Sequence, residues 1–122
     1  MESKNFINVE NSNAEVSLDL IEFIEDNVHL VYSPALDLTG YGDNKKEART
    51  SFEVTLKEFL RYTIKNNTLD KELKRLGWKK QKKSDHSYTP PELTKLSRKN
   101  RQLKHILNHQ EFEKTTQRLA FA

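Results

Sequence analysis

Apolar and polar residues alternate from Val16 to Leu20, where Val16, Leu18 and Leu20 are separated by Ser17 and Asp19. Period two is the signature of a strand with one buried face. The apolar content continues through Ile21, Phe23 and Ile24, but its phase slips between Leu20 and Ile21. A bulge, or a strand buried on both faces, accounts for such a slip. Glu25-Asp26-Asn27 is a turn signal and Val28–Tyr32 is rich in β-formers, so a hairpin is expected here. Pro34 ends its second strand, since proline brings no N–H to the ladder. Leu36, Leu38 and Tyr41 mark a third short strand, and Phe6, Ile7 and Val9 a short edge strand before the hairpin. Gly40 and Gly42 supply conformational freedom for a corner.

The period then changes. Ala48, Phe52, Leu56, Phe59, Leu60 and Thr63 recur at three- and four-residue spacing and form one apolar stripe of a helix. Asn44 is its N-cap, with Glu47 three residues on in a capping-box pattern. Glu53 and Lys57 are spaced to pair on the outer side. Asn66-Asn67 ends this helix. Thr68 then caps a second, short one with Leu69, Leu73 and Leu76 on one face, and Gly77 stops it. Trp78 is an anchor, followed by a short lysine-protected edge strand.

Ser84–Ser87 reads as a linker, which divides the chain into residues 1–83 and 84–122. After it, Thr89 caps, Pro90 takes the first helical position and Glu92 the third. Leu93, Leu96, Leu103, Ile106 and Leu107 predict two short helices or one bent one, and Phe112, Leu119 and Phe121 close the segment as a final strand. The expected class is α+β: a small antiparallel sheet in the order β-β-β-α-β with a helix on one face, plus a basic, mainly helical C-terminal extension.

With 122 residues, 34% hydrophobic and 32% charged, only a modest core is available. The absence of cysteine excludes a disulfide scaffold, a thiolate zinc site and a cysteine nucleophile. No apolar run reaches the roughly 18 residues of a membrane span, and no signal-peptide pattern occurs, so a cytoplasmic location is expected. The net charge of +3 conceals a split: residues 1–64 hold 6 Lys/Arg against 12 Asp/Glu, and residues 65–122 hold 15 against 6. The acidic half suits a basic partner and the basic half suits nucleic acid.

Catalytic constellations are weak. Asp19, Asp37 and Asp43 fall in or beside strands, where carboxylates can hold Mg²⁺ for a nuclease, but turn and cap positions attract Asp for local reasons. His29 sits on a strand and His86 in the linker. His105 and His109 share a helix face at zinc-compatible spacing, without the intervening Glu or an evident third ligand. Three glycines make no phosphate cradle, and no nucleophile elbow is present. A non-catalytic protein without cofactor or metal is expected. The run Lys79, Lys80, Lys82 and Lys83, continued by Lys95, Arg98, Lys99, Arg101 and Lys104, is the composition of a phosphate-contacting surface. The Ser97–Asn100 turn lacks the glycine of a helix-turn-helix.

Residues 18–60 resemble HicB-family antitoxins. The resemblance rests on Tyr32-Ser33-Pro34-Ala35-Leu36 after the hairpin, Gly40-Tyr41-Gly42-Asp43 at the corner, Glu47-Ala48 at the helix start, and Phe52, Leu56 and Leu60 along the helix. It implies a partial RNase H-like fold without the full carboxylate set of the nucleases. It also implies a partner, a small basic HicA toxin that cleaves mRNA and is blocked by direct binding. On that basis Tyr32, Asp37, Tyr41 and Asp43 are the expected toxin contacts, the two tyrosines as aromatic anchors. Family members usually repress their own operon through a C-terminal DNA-binding module, and the segment from Ser84 on matches neither usual type. The alternative is a nucleic-acid-binding regulator that acts on operator DNA through the basic half. An open sheet edge would also allow a homodimer.

Overall fold

The apolar run around Leu20 forms β2 (Asn13–Glu25), and the rest of the sheet is built on it. The computed structural model describes residues 5–11, 13–81, 87–109 and 111–121. β2 pairs antiparallel with three strands: β1 (Phe6–Glu10), β3 (Val28–Ser33) and β7 (Phe112–Phe121). β7 runs along residues 14–23 of β2, β1 takes 13–17 and β3 takes 21–25. Residues paired twice have β7 on one side and β1 or β3 on the other. β1 and β3 therefore lie end to end along one edge of β2, and β7 covers the opposite edge. β4 (Leu38–Gly42) continues the sheet beyond β3. β6 (Ser87–Thr89) and then β5 (Lys79–Lys80) continue it beyond β1. The described residues thus form an α+β structure with a 7-stranded antiparallel sheet.

Burial on both faces, rather than a bulge, resolves the phase slip. The register between β2 and β7 is unbroken from Ala14↔Phe121 to Phe23↔Phe112. Val16, Leu18 and Leu20 point to one face, where they pack with Ala48, Phe52, Leu56 and Leu60 of α1 (Lys45–Lys65). Ile21 and Phe23 point to the other, where with Tyr32 they meet Leu103 and Ile106 of α4 (Arg101–His109).

Helix α1 starts as its cap predicts: Glu47 N–H donates to Asn44 Oδ1 at 2.9 Å. The return bond of the box shifts by one residue, with Asp43 N–H donating to Glu47 Oε2 at 2.9 Å. The Glu53–Lys57 pair is not among the ion pairs of the described residues; Arg61 lies 3.6 Å from Glu58 instead. Gly40 and Gly42 do not supply a positive φ, which among the described glycines is confined to Gly77 at 95°. They serve close approach. A Cβ on Gly40 would overlap the backbone nitrogen of Phe52 and lie 2.7 Å from the Ala48 carbonyl oxygen, and one on Gly42 would lie 2.7 Å from the Ala48 nitrogen. The helix backbone rests directly on β4. α2 (Leu69–Arg75) adds Leu69 and Leu73 to this core. Trp78, buried after Gly77, donates its indole N–H to the Ala35 carbonyl at 2.7 Å.

Three expectations are corrected. The part beyond residue 84 is not a mainly helical extension: besides α3 (Leu93–Lys99) and α4 it supplies β6 and the ten-residue β7 to the same sheet. Alternation explains β7, since Leu119 and Phe121 pack on the α1 side while Arg118 and Ala120 are exposed. Thr89 is the end of β6 and caps no helix, because Thr89 and Pro90 each precede a proline and are held out of the helical region. β1 is an internal strand, paired on both sides. No helix among the described residues is long and apolar enough to cross a membrane.

Candidate functional site

Of the expected toxin contacts, Tyr32 is not at the surface. It is 1% exposed, and its hydroxyl donates to Asp37 Oδ1 at 2.8 Å while accepting from Asn100 Nδ2 at 2.7 Å. Burial, followed by the neighbouring Asp37 carboxylate, pushes the Tyr32 pKa far up. Its role here is to tie the β3–β4 turn, where Asp37 has a φ of 55°, to the start of α4. Sequence reasoning passed over Asn100. Its Oδ1 accepts from Leu103 N–H at 3.1 Å, and an Asn three residues before an apolar position was the available signal.

Tyr41 is 66% exposed. The pairing places it at the end of a line of four apolar side chains across the sheet: Phe112 opposite Phe23, Phe23 opposite Leu30, Leu30 opposite Tyr41. Partners in register share a face. Phe23 and Leu30, in the middle, pack against α4, and the two ends are bare, Phe112 being 41% exposed. Val28 and Ile24, at the same end of the sheet, are also exposed. Four of the six exposed large apolar side chains among the described residues thus gather around the β2–β3 hairpin. Carboxylates neighbour them along the chain: Glu25 and Asp26 at the hairpin tip, Asp43 just beyond β4, and Glu111 and Glu113 on either side of Phe112, with Glu113 paired to Lys45 at 2.6 Å. A groove of about 700 Å³ opens at this end on the α1 side of the sheet, lined by Ile24, His29, Lys45 and Phe112 among others. Phe112 and Val28 were not expected in the site, because only the register of β7 and β3 brings them to Tyr41; Ile24, by alternation, points to the opposite face of the same end.

Beside this end, Glu22 is 6% exposed and takes a two-pronged contact from Arg49, at 2.8 and 2.9 Å, and the Thr115 hydroxyl at 2.9 Å. Burial raises its pKa, but the Arg49 and Thr115 hydrogen bonds outweigh burial and leave it below the usual glutamate value.

The basic residues separate into two groups. Lys79 and Lys80 lie on β5, where Lys80 reaches Asp70 at 3.4 Å and sits over the Tyr88 ring. Lys95 and Arg98 on α3, and Arg101 and Lys104 on α4, are exposed, and none forms an ion pair among the described residues. Asn100 separates the two helices, so of the two arrangements expected for this segment the pair of short helices is the one found. Lys82, Lys83 and His86 lie outside the described residues, as do the side chains of Lys99 and His109.

The three carboxylates considered for metal are not brought together. Asp19 bonds Thr116 at 2.7 Å and faces Lys114 at 3.5 Å, Asp37 serves Tyr32, and Asp43 precedes α1. No group of three metal-capable side chains occurs among the described residues. Comparison with protein-family models, curated proteins and solved structures returns no match.

Proposed function

We propose that this chain is a non-catalytic binding protein that neutralises a small basic HicA-type toxin by direct contact at the β2–β3 hairpin end of the sheet. The observation that carries this reading is the apolar line whose ends, Tyr41 and Phe112, are uncovered and have Asp43 and Glu111 beside them in the chain. An apolar centre with a charged rim is the anatomy of a protein interface, and an acidic rim suits a cationic RNA-binding partner. Tyr41 and Asp43 keep their expected place in the contact; Tyr32 and Asp37 support it from behind. In this reading β2, β3, β4, α1 and β5 form the partial RNase H-like unit, and the chain works in the cytoplasm. Co-expression with the product of the adjacent small reading frame, followed by size exclusion with mass detection, tests it. A stoichiometric complex that restores growth is the expected result; a chain that elutes without that product overturns the reading.

A second reading has its own observation. The exposed cations Lys95, Arg98, Arg101 and Lys104 fit a phosphate backbone, which makes nucleic-acid binding, with operator DNA as the natural probe, the alternative function.

A further inference from the structure

One edge of β7 is paired with no described strand, and a long open edge is a template for another strand. The β2–β3 hairpin fixes which backbone groups face outward. Its two-residue turn has φ of 51° at Asp26 and 64° at Asn27, the type I′ form, so the flanking Glu25 and Val28 exchange both their hydrogen bonds. By alternation, Ile21, Phe23 and Glu25 bond to β3, and the even-numbered residues of β2 bond to β7. In β7 the odd-numbered residues therefore bond to β2. Phe112, Lys114, Thr116, Arg118 and Ala120 present their N–H and C=O groups outward.

Among two-fold axes from Lys114 to Arg118, a second copy fits this edge best in one register. A two-fold axis at Lys114, Thr116 or Arg118 sets like charges against each other: Lys114 on its own copy, Lys114 on Arg118, or Arg118 on its own copy. An axis at Thr115 avoids this but leaves Leu119 and Phe121 without partners. An axis at Gln117 sets Lys114 against Ala120, Thr116 against Arg118 and Thr115 against Leu119, and it uses all of residues 113–121.

Two further observations agree with the Gln117 axis. The Gln117 Oε1 atom is buried without a hydrogen-bond partner, and this register brings the two Gln117 amides side by side on one face, about 5 Å apart at Cβ. It also sets Glu113 of the copy opposite Phe121, which lines a groove of about 320 Å³ shared with Lys57, Arg61 and Lys65. A carboxylate, held at 2.6 Å by Lys45 of its own copy, thereby arrives beside three cations, of which Arg61 also reaches Glu58.

We propose that two copies of this chain join antiparallel through β7 about a two-fold axis at Gln117, so that the sheet runs on from one copy into the other. The chain contains no cysteine, so Gln117→Cys introduces one thiol. At a non-hydrogen-bonded antiparallel pair the Cα atoms lie about 4.5 Å apart, within disulfide reach. Oxidised Gln117→Cys should run as a covalent dimer on a non-reducing gel, and Thr115→Cys should not. Sedimentation of the full chain should show a dimer. Thr116→Pro, which removes an outward N–H and spares the β2 ladder, should raise its dissociation constant at least tenfold. A chain monomeric at every soluble concentration, a dimer that Thr116→Pro leaves intact, or equal cross-linking at 115 and 117 would each overturn the proposal. If Thr116→Pro fails to fold, the cross-linking pattern decides alone.

Discussion

Asn100 donates its side-chain amide to the Tyr32 hydroxyl at 2.7 Å across 68 residues of sequence. The same side chain accepts from Leu103 N–H and so starts α4. One residue thus both begins the helix and fastens it to the sheet. Asn100→Ala should cost about 1–2 kcal/mol, combining a lost cap with a buried hydroxyl left short of a partner. Tyr32→Phe should cost about 1 kcal/mol. Urea denaturation of both variants and the double variant is the check. The two losses should be less than additive, because they remove the same bond; simple additivity would show that the contact is energetically idle.

Glu22 makes acid stability specific. Its folded pKa lies below its unfolded value, so its contribution is present above the ordinary glutamate pKa and fades as pH falls through the folded one. Glu22→Gln should cost about 2 kcal/mol near neutrality, as expected for hydrogen bonds to a charged group. The gap to the parent chain should narrow below about pH 4. A gap that stays constant down to strongly acid pH would refute this assignment.

Gly40→Ala should be among the costliest small substitutions in the chain, at about 3 kcal/mol, because its methyl group meets helix backbone rather than a movable side chain. Thermal unfolding monitored by circular dichroism measures it. A near-neutral result would mean that α1 slides on β4 without penalty.

At the hairpin end, Tyr41→Ala should leave stability almost untouched, since the ring is exposed, yet weaken capture of the co-expressed partner by about 30-fold or more, the scale of an aromatic hot spot. Unchanged capture would move the contact away from this face.

If α3 and α4 instead grip nucleic acid, a double Arg101→Glu, Lys104→Glu variant should lose affinity for operator DNA and show a shallower salt dependence, by about two units in the log–log slope. An unchanged slope would remove these side chains from the interface.

Short-range patterns carried much of the fold. The β2–β3 hairpin, the cap and apolar stripe of α1, and the glycine stop at Gly77 are all set by residues within a few positions of one another. What was illegible depended on partners far along the chain. Nothing near Tyr32 announces that its hydroxyl will be claimed by Asn100, so an aromatic residue expected at the surface turned out to be internal. Phe112 joins Tyr41 only through two intervening strands. Thr89 has the chemistry of a cap, and the prolines after it decided otherwise. Of the candidate site, Tyr41 and Asp43 could be read from the corner motif, whereas Val28 and Phe112 required the pairing.

The pairing of β2 with β7 also sets a timetable. Ala14 and Phe121 are partners more than one hundred residues apart, and a ribosome takes about 5–20 s to cover that distance. Through that interval the hairpins of β2 form locally, but the edge from Ala14 to Phe23 waits for a strand not yet made. Contacts so distant also slow folding after release. The nascent chain is thus most prone to mispairing late in its synthesis, and residues 112–121 end that exposure when they dock.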